Sequence, residues 1–154
     1  MIEPGRGDLL KARVDALVNP VNTVGLMDNG PSLHFKRAFP DNFNAFRGAC
    51  VAGQVKVGQV FVFDLGTTLP RYVFNVATKA HSRSSTTLAY LDAGLADVVA
   101  QVKQLGIQSL ALPALGNDFG GPPWRLVRPR IEAAFASLPE LKVVLFAPDD
   151  PRAR

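Results

Sequence analysis

Three segments of the chain gather residue types from which an anion-binding site is built. Asn19-Pro20-Val21-Asn22-Thr23 runs into Gly25-Leu26-Met27-Asp28-Asn29-Gly30, directly ahead of a helix-forming stretch. Thr78-Lys79-Ala80-His81 follows an apolar run, and Gly116-Asn117-Asp118-Phe119-Gly120-Gly121 follows another, again ahead of a helix. Glycine loops that lead into helices let backbone N–H groups approach an anion closely, and the helix N-terminus adds positive potential. Two such loops facing each other could hold a diphosphate. Each loop taken singly reads as a plain turn, because glycine serves turns generally, and Lys79 alone reads as a solvated lysine at a strand end. His34 and His81 are the only imidazoles. His81 lies two residues beyond Lys79, where it either reaches the same ligand or is an incidental loop histidine. Without a carboxylate cluster nearby the pair makes no metal site.

The elements that would position these loops follow from periodicity. Residues 14–19 form a short apolar strand, which Pro20 should stop if the strand is central. Residues 32–38 read as a helix, with Pro31 in its first turn. A second helix should begin at Asp41 as N-cap after Pro40 and end at Gly53. Residues 59–64 and 72–77 are rich in β-branched and aromatic side chains and read as strands. Leu88, Leu91, Leu95, Val98, Val99 and Val102 give the longest helical signal, over residues 86–105, with Gly106 as its stop. Residues 109–112 and 141–146 are strands, and 123–137 a helix. Strands and helices alternate through the second half, which predicts an α/β domain with a mainly parallel sheet covered on both faces. Ligands of such sheets bind at the carboxyl ends of the strands, where the three loops fall.

Composition sets the outer limits. A chain of 154 residues with 47% hydrophobic and 19% charged residues suits one compact domain and excludes extensive disorder. The apolar runs are too short to span a membrane. The first ten residues lack the apolar core of a signal peptide, so the cytoplasm is the expected compartment. One cysteine, Cys50, allows no internal disulfide, and its place on an apolar helix face marks it as core. The net charge of +4 is compatible with an anionic partner such as a nucleotide or nucleic acid, although no dense basic run appears. Trp124, at a helix start after Pro122-Pro123, either packs against the third loop or stacks on a base; packing is the simpler role.

Gly7-Asp8-Leu9-Leu10, followed by Val14-Asp15-Ala16-Leu17-Val18-Asn19-Pro20-Val21-Asn22, resembles the opening of a macrodomain. Through GLMDNGPSLHFKRAFP the resemblance narrows to the macrodomains of DarG antitoxins and of terminal ADP-ribose glycohydrolases. Phe74-Asn75-Val76-Ala77-Thr78-Lys79 and Leu112-Pro113-Ala114-Leu115-Gly116 follow in the same order, so nearly the whole chain is covered. The resemblance implies a single three-layer α/β/α macrodomain over residues 1–154 with a mixed central sheet. It also implies a pocket for ADP-ribose. Asp8 would accept from the adenine amino group, with the Leu9 backbone beside the ring. Asn22 would sit by the distal ribose. Thr23, Gly25, Met27 and Gly30 belong to the loop around that ribose and a phosphate. Pro113, Leu115, Gly116, Asn117, Asp118, Phe119 and Gly120 belong to the loop around the diphosphate. Lys79 matches the lysine that attacks the anomeric carbon of the distal ribose. An amine attacks only through its lone pair; burial favours that neutral form and a neighbouring diphosphate opposes it.

The two glycine loops depart from the family pattern. Asp28 stands where relatives carry glycine, Pro31 removes an N–H, and Asp118 brings a second carboxylate near the expected phosphates. Aspartate tolerates a left-handed turn better than most residues, so either loop could keep its shape. The resemblance implies an antitoxin-like hydrolase that removes ADP-ribose from nucleic acid, with thymidine in single-stranded DNA as the first substrate to consider. An ADP-ribosyltransferase toxin is the implied partner, and neither metal nor redox cofactor is needed. A monomer is expected. The alternative is a binding module for ADP-ribose, its adducts or nucleic acid, without turnover. DarG proteins carry a further toxin-binding domain, so the chain is expected to be a single-domain relative or a piece of a longer one.

Overall fold

The computed structural model describes residues 1–117 and 120–148. These form a six-stranded sheet with helices on both faces. In chain order the elements are β1 (Ile2–Pro4), a single 3-10 turn (Leu9–Lys11), β2 (Ala16–Val21), α1 (Gly30–Ala38), α2 (Pro40–Val51), β3 (Val60–Asp64) and β4 (Tyr72–Ala77). There follow α3 (Leu88–Leu105), β5 (Ser109–Leu112), α4 (Trp124–Phe135) and β6 (Lys142–Leu145). The strand order is β1-β6-β5-β2-β4-β3. All neighbours run parallel except β3, which pairs antiparallel with β4 at the edge. The sheet is therefore mixed, as expected.

Alternation along the strands assigns the two faces. Ala16 and Val18, Phe74 and Val76, and Leu110 and Leu112 join a core with Leu91, Leu95, Val98 and Val102 of α3 and Val127, Ile131 and Phe135 of α4. The intervening Leu17, Val73 and Ala111 pack with Val14 and with Phe35 of α1, while Val21 and Ala77 pack with Met27 and with Phe46 of α2. A Cβ on Gly94 would lie 2.8 Å from a Val76 methyl, so glycine sets the close approach of α3 to β4. Thr87 caps α3 by accepting from the Tyr90 N–H at 3.2 Å, and Gly106 ends it in a left-handed conformation (φ +66°). Trp124 is buried in the α3/α4 core, in the packing role.

Three details differ from the sequence expectations. Pro20 does not stop β2, which runs to Val21 with Pro20 opposite Val76. The reason lies in the neighbouring strand. β5 pairs with β2 only at Ala16 and Leu17, so beyond Leu17 just one edge of β2 is hydrogen-bonded and a residue without an N–H is accommodated. α2 begins at Pro40 with Phe39 as its N-cap; Asp41 lies in the first turn and does not cap, since Pro40 itself suits the first helical position. β1 was not foreseen, because its three residues are too few to show a period; it pairs with β6 at the edge of the sheet.

The sheet also buries an amide cluster. Asn75 of β4 accepts from Asn19 of β2 (3.0 Å) and from Asn42 of α2 (3.2 Å) through one oxygen. Its own amide donates to the Asn42 side chain (2.8 Å) and to the Phe61 carbonyl of β3 (3.1 Å). All three asparagines are fully buried, so the cluster fixes how α2 sits on the sheet that carries the loops.

Candidate functional site

The carboxyl ends of β2, β4 and β5 open into one cleft of about 480 Å³. Its walls come from Pro20, Val21 and Asn22 after β2, from Asn29 to Ser32 at the start of α1, from Thr78 and Lys79 after β4, and from Ala114, Gly116 and Asn117 after β5. Ser82, Arg83, Ser84 and Thr86 complete the wall on the Lys79 side. A second hollow of about 650 Å³ shares Gly30 and Pro31 with the first and is lined by Gly7, Asp8, Leu9, Pro113 and Phe146 among others. The site is thus two-lobed and waisted at Gly30 and Pro31. A long ligand with chemically different ends fits that shape.

Hydrogen bonds within the loops hold the first lobe. The Asn22 side chain is buried and accepts from the N–H groups of Val24 (3.0 Å) and Leu26 (3.4 Å) while donating to the Leu26 carbonyl (2.9 Å). It lines the cleft and at the same time ties the loop that follows. Gly25 sits at φ +82°, with the position of a missing Cβ 3.4 Å from Arg47 of α2, so the loop turns there against α2. Thr23 donates through its hydroxyl to the Ala80 carbonyl at 2.9 Å and joins this loop to the Lys79 segment. Lys79 is half-buried and donates to the Ser82 carbonyl at 3.2 Å. Thr86 donates to Thr78 at 3.3 Å, both side chains being buried. Gly120 (φ +76°) lies against Ser85, so the third loop reaches the same wall.

α1 starts at the waist with Asn29 as N-cap, and the Asn29 side chain makes no capping bond to the first-turn N–H groups. Those groups have no acceptor within the helix, and with the helix dipole they favour an anion in the cleft. Pro31 contributes no N–H, leaving Gly30 and Ser32 as the first-turn amides beside the cleft. Asp28 is exposed and is not among the residues lining either lobe. No described residue other than glycine has a positive φ, so Asp28 keeps an ordinary conformation and does not imitate a left-handed glycine.

The expected site residues separate into groups. Asn22, Lys79, Gly116, Asn117 and Gly30 line the first lobe; Asp8, Leu9 and Pro113 line the second, which Gly30 also borders. Asp8 accepts from the Leu10 N–H at 2.9 Å through one oxygen, starting the 3-10 turn. Thr23 and Gly25 act from behind the wall. Met27 and Leu115 are buried in the two cores beneath the loops. Asp118 and Phe119 lie outside the described residues. The wall of Ser82, Arg83, Ser84 and Thr86 was not anticipated, although the run HSRSST after Lys79-Ala80 is polar and free of acidic residues. His34 borders the second lobe, while His81 is exposed and accepts from the Arg83 N–H through Nδ1 (3.2 Å). Burial pushes the Cys50 thiol up, which disfavours the reactive thiolate and suits packing beside the Val21–Phe46 core. Among the described residues no group of histidine, cysteine and carboxylate side chains could hold a metal, and no helix is long and apolar enough to cross a membrane.

The Macro domain family matches residues 18–131. The chain is 47% identical over 150 residues to a DNA ADP-ribosyl glycohydrolase of Thermus aquaticus, covering 96% of this chain and 42% of that protein. It is 44% identical over 149 residues to one of Mycobacterium tuberculosis, with the same shares covered. The chain therefore spans 42% of the length of the curated relatives it matches. The solved macrodomain of Thermus aquaticus DarG has a TM-score of 0.91 to this fold, at 47% identity, with 96% of this chain and 99% of that one covered. For the macrodomain of Mycobacterium tuberculosis DarG the TM-score is 0.94 at 44% identity, with 97% and 99% covered. Thermosipho africanus DarTG, solved in complex with ADP-ribose, gives 0.86 at 29% identity, covering 93% of this chain and 40% of that one. The expected fold is the observed one, and the chain belongs to the Macro domain family.

Proposed function

We propose that this domain is a DNA ADP-ribosyl glycohydrolase of the DarG kind, with Lys79 as nucleophile and thymidine in single-stranded DNA as the modified base. The observation that carries the reading is the place of Lys79. It stands in the wall of the first lobe, with Asp8 in the adjoining lobe beyond Gly30 and Pro31, in a chain similar to proteins named for this activity. The Asp8 lobe takes the adenine. The carboxylate oxygen left over from the Leu10 bond accepts from the exocyclic amine, and Leu9 and Phe146 offer apolar surface to the ring. The diphosphate crosses the waist between the start of α1 and the loop at Gly116 and Asn117. The distal ribose then lies between Asn22 and Lys79.

In that arrangement the Lys79 amine, having lost its proton, forms a bond to the anomeric carbon. The bond from that carbon to the base nitrogen breaks, its electron pair leaves with the base, and the base takes up a proton. Water adds to the same carbon of the lysine adduct, releasing ADP-ribose and returning the amine. The Ser82 carbonyl, bonded to Nζ, keeps the amine aimed along the wall. The named relative that fuses a DNA ADP-ribosyl transferase to the glycohydrolase supports a transferase as partner, its product being the substrate here.

A substrate panel tests the reading. ADP-ribose should be released from a single-stranded oligonucleotide modified on thymidine, and much more slowly from a protein modified on a carboxylate side chain. Release from the protein alone would move the substrate to ester-linked adducts. Binding of free ADP-ribose with no release from either would make the domain a reader.

A further inference from the structure

The residues so far described would hold ADP-ribose; none of them explains how a polynucleotide is held. A continuous rim runs outward from the cleft. It begins at Arg47 on α2, whose backbone and side-chain stem lie against Gly25. It continues over Val24 and Leu26, which are 44% and 43% exposed although apolar, held in place by the buried Asn22. Thr23 then bonds the Ala80 carbonyl, and the chain proceeds through the exposed His81 to Arg83 at the cleft wall. Lys56 lies near the same end of the sheet, since Gly58 donates to the carbonyl of Ala77, the last residue of β4.

The rim carries Arg47, Lys56 and Arg83, with Asp28 as the acid beside it. Between Asp41 and Asp92 the one acidic residue is Asp64. Asp64 pairs with Arg71 and faces Tyr72 at the start of β4, roughly 17 Å of strand away from the Lys79 end. Cations spaced either side of an exposed apolar step match an unpaired strand, whose phosphates need positive charge and whose bases need apolar surface. Asp28, exposed two residues beyond Leu26, would repel phosphates and so directs the strand to the Val24 side of the loop.

We infer that the rim from Arg47 through Val24 and Leu26 to Arg83 is the docking track for single-stranded nucleic acid flanking the modified base. The inference rests on the proposed function and adds the element that selects a polynucleotide over a lone nucleoside. A duplex would have to surrender the base before it could enter the cleft, which suits a track for one strand.

The test compares hydrolysis of an ADP-ribosylated oligonucleotide with that of an ADP-ribosylated nucleoside, using the whole chain and the variants Arg47→Gln and Leu26→Ser. Gln keeps the stem that packs on Gly25, so the loop should be preserved. Each variant should raise KM for the oligonucleotide about tenfold, leave the nucleoside unchanged, and leave free ADP-ribose affinity unchanged. The salt dependence of oligonucleotide binding should fall by about one unit of slope in Arg47→Gln. Equal kinetics of variants and wild type on the oligonucleotide would overturn the track. If the variants instead lose capture of a protein-linked substrate and not of the oligonucleotide, the rim serves a protein partner and the inference also fails. No hydrolysis of either substrate by wild type would instead reject the proposed function, and binding of the unmodified oligonucleotide would then judge the track separately.

Discussion

At the scale of single residues, the site depends on side chains spent on other parts of the protein. Asn22 stands at the cleft, yet its amide is occupied by Val24 and Leu26. Its first task is to shape the loop. Asn22→Ala leaves buried backbone groups without partners and should cost about 1–3 kcal/mol in urea unfolding, with a loss of ADP-ribose affinity in calorimetry. Unchanged stability and affinity would assign the loop's form to Gly25 alone. The same doubling of roles explains which residues could be read from sequence. Lys79 and Asn22 sit inside motifs, so their place at the cleft was legible. Arg83 and Ser84 were not, because they reach the cleft only through the turn that Ser84 makes by donating to the His81 carbonyl. Asp28 looked like a phosphate-facing carboxylate, but the backbone turns it to solvent.

At the scale of elements, the strands and helices were mostly legible because their periods are strong. α3 shows this best: Leu91, Leu95, Val98 and Val102 share one buried face, and Thr87 and Gly106 bound it. Where the reading failed, a neighbour decided. Pro20 continues β2 because β5 has already parted from that edge, a fact of pairing that no local sequence encodes. The Asn19–Asn42–Asn75 cluster was likewise invisible, since three scattered asparagines meet only after α2 packs on the sheet. The closeness of α3 to β4 gives a test at this scale. Gly94→Ala places a methyl within 2.8 Å of Val76 and should destabilise by about 1–3 kcal/mol through overpacking, despite the better helix propensity of alanine. A gain in unfolding free energy would show that α3 can move away freely.

At the scale of the whole molecule, topology gathers segments that are distant in sequence. Asp8, Gly30, Lys79 and Pro113 come from four loops at one end of a sheet whose inner strands all run parallel, and only the folded sheet makes them a two-lobed cleft. The fold places Lys79 in one lobe and Asp8 in the other, and the proposed reaction needs an amine and a carboxylate at those two ends. A reader module would need the same cleft but would have no use for the amine. The most direct measurement is therefore a paired assay of wild type and Lys79→Ala on ADP-ribosylated single-stranded DNA, with free ADP-ribose affinity followed by calorimetry. The account predicts release by wild type, a loss of roughly a thousandfold or more in the variant, and affinity for free ADP-ribose within a fewfold of wild type. Release by Lys79→Ala at the wild-type rate would contradict it.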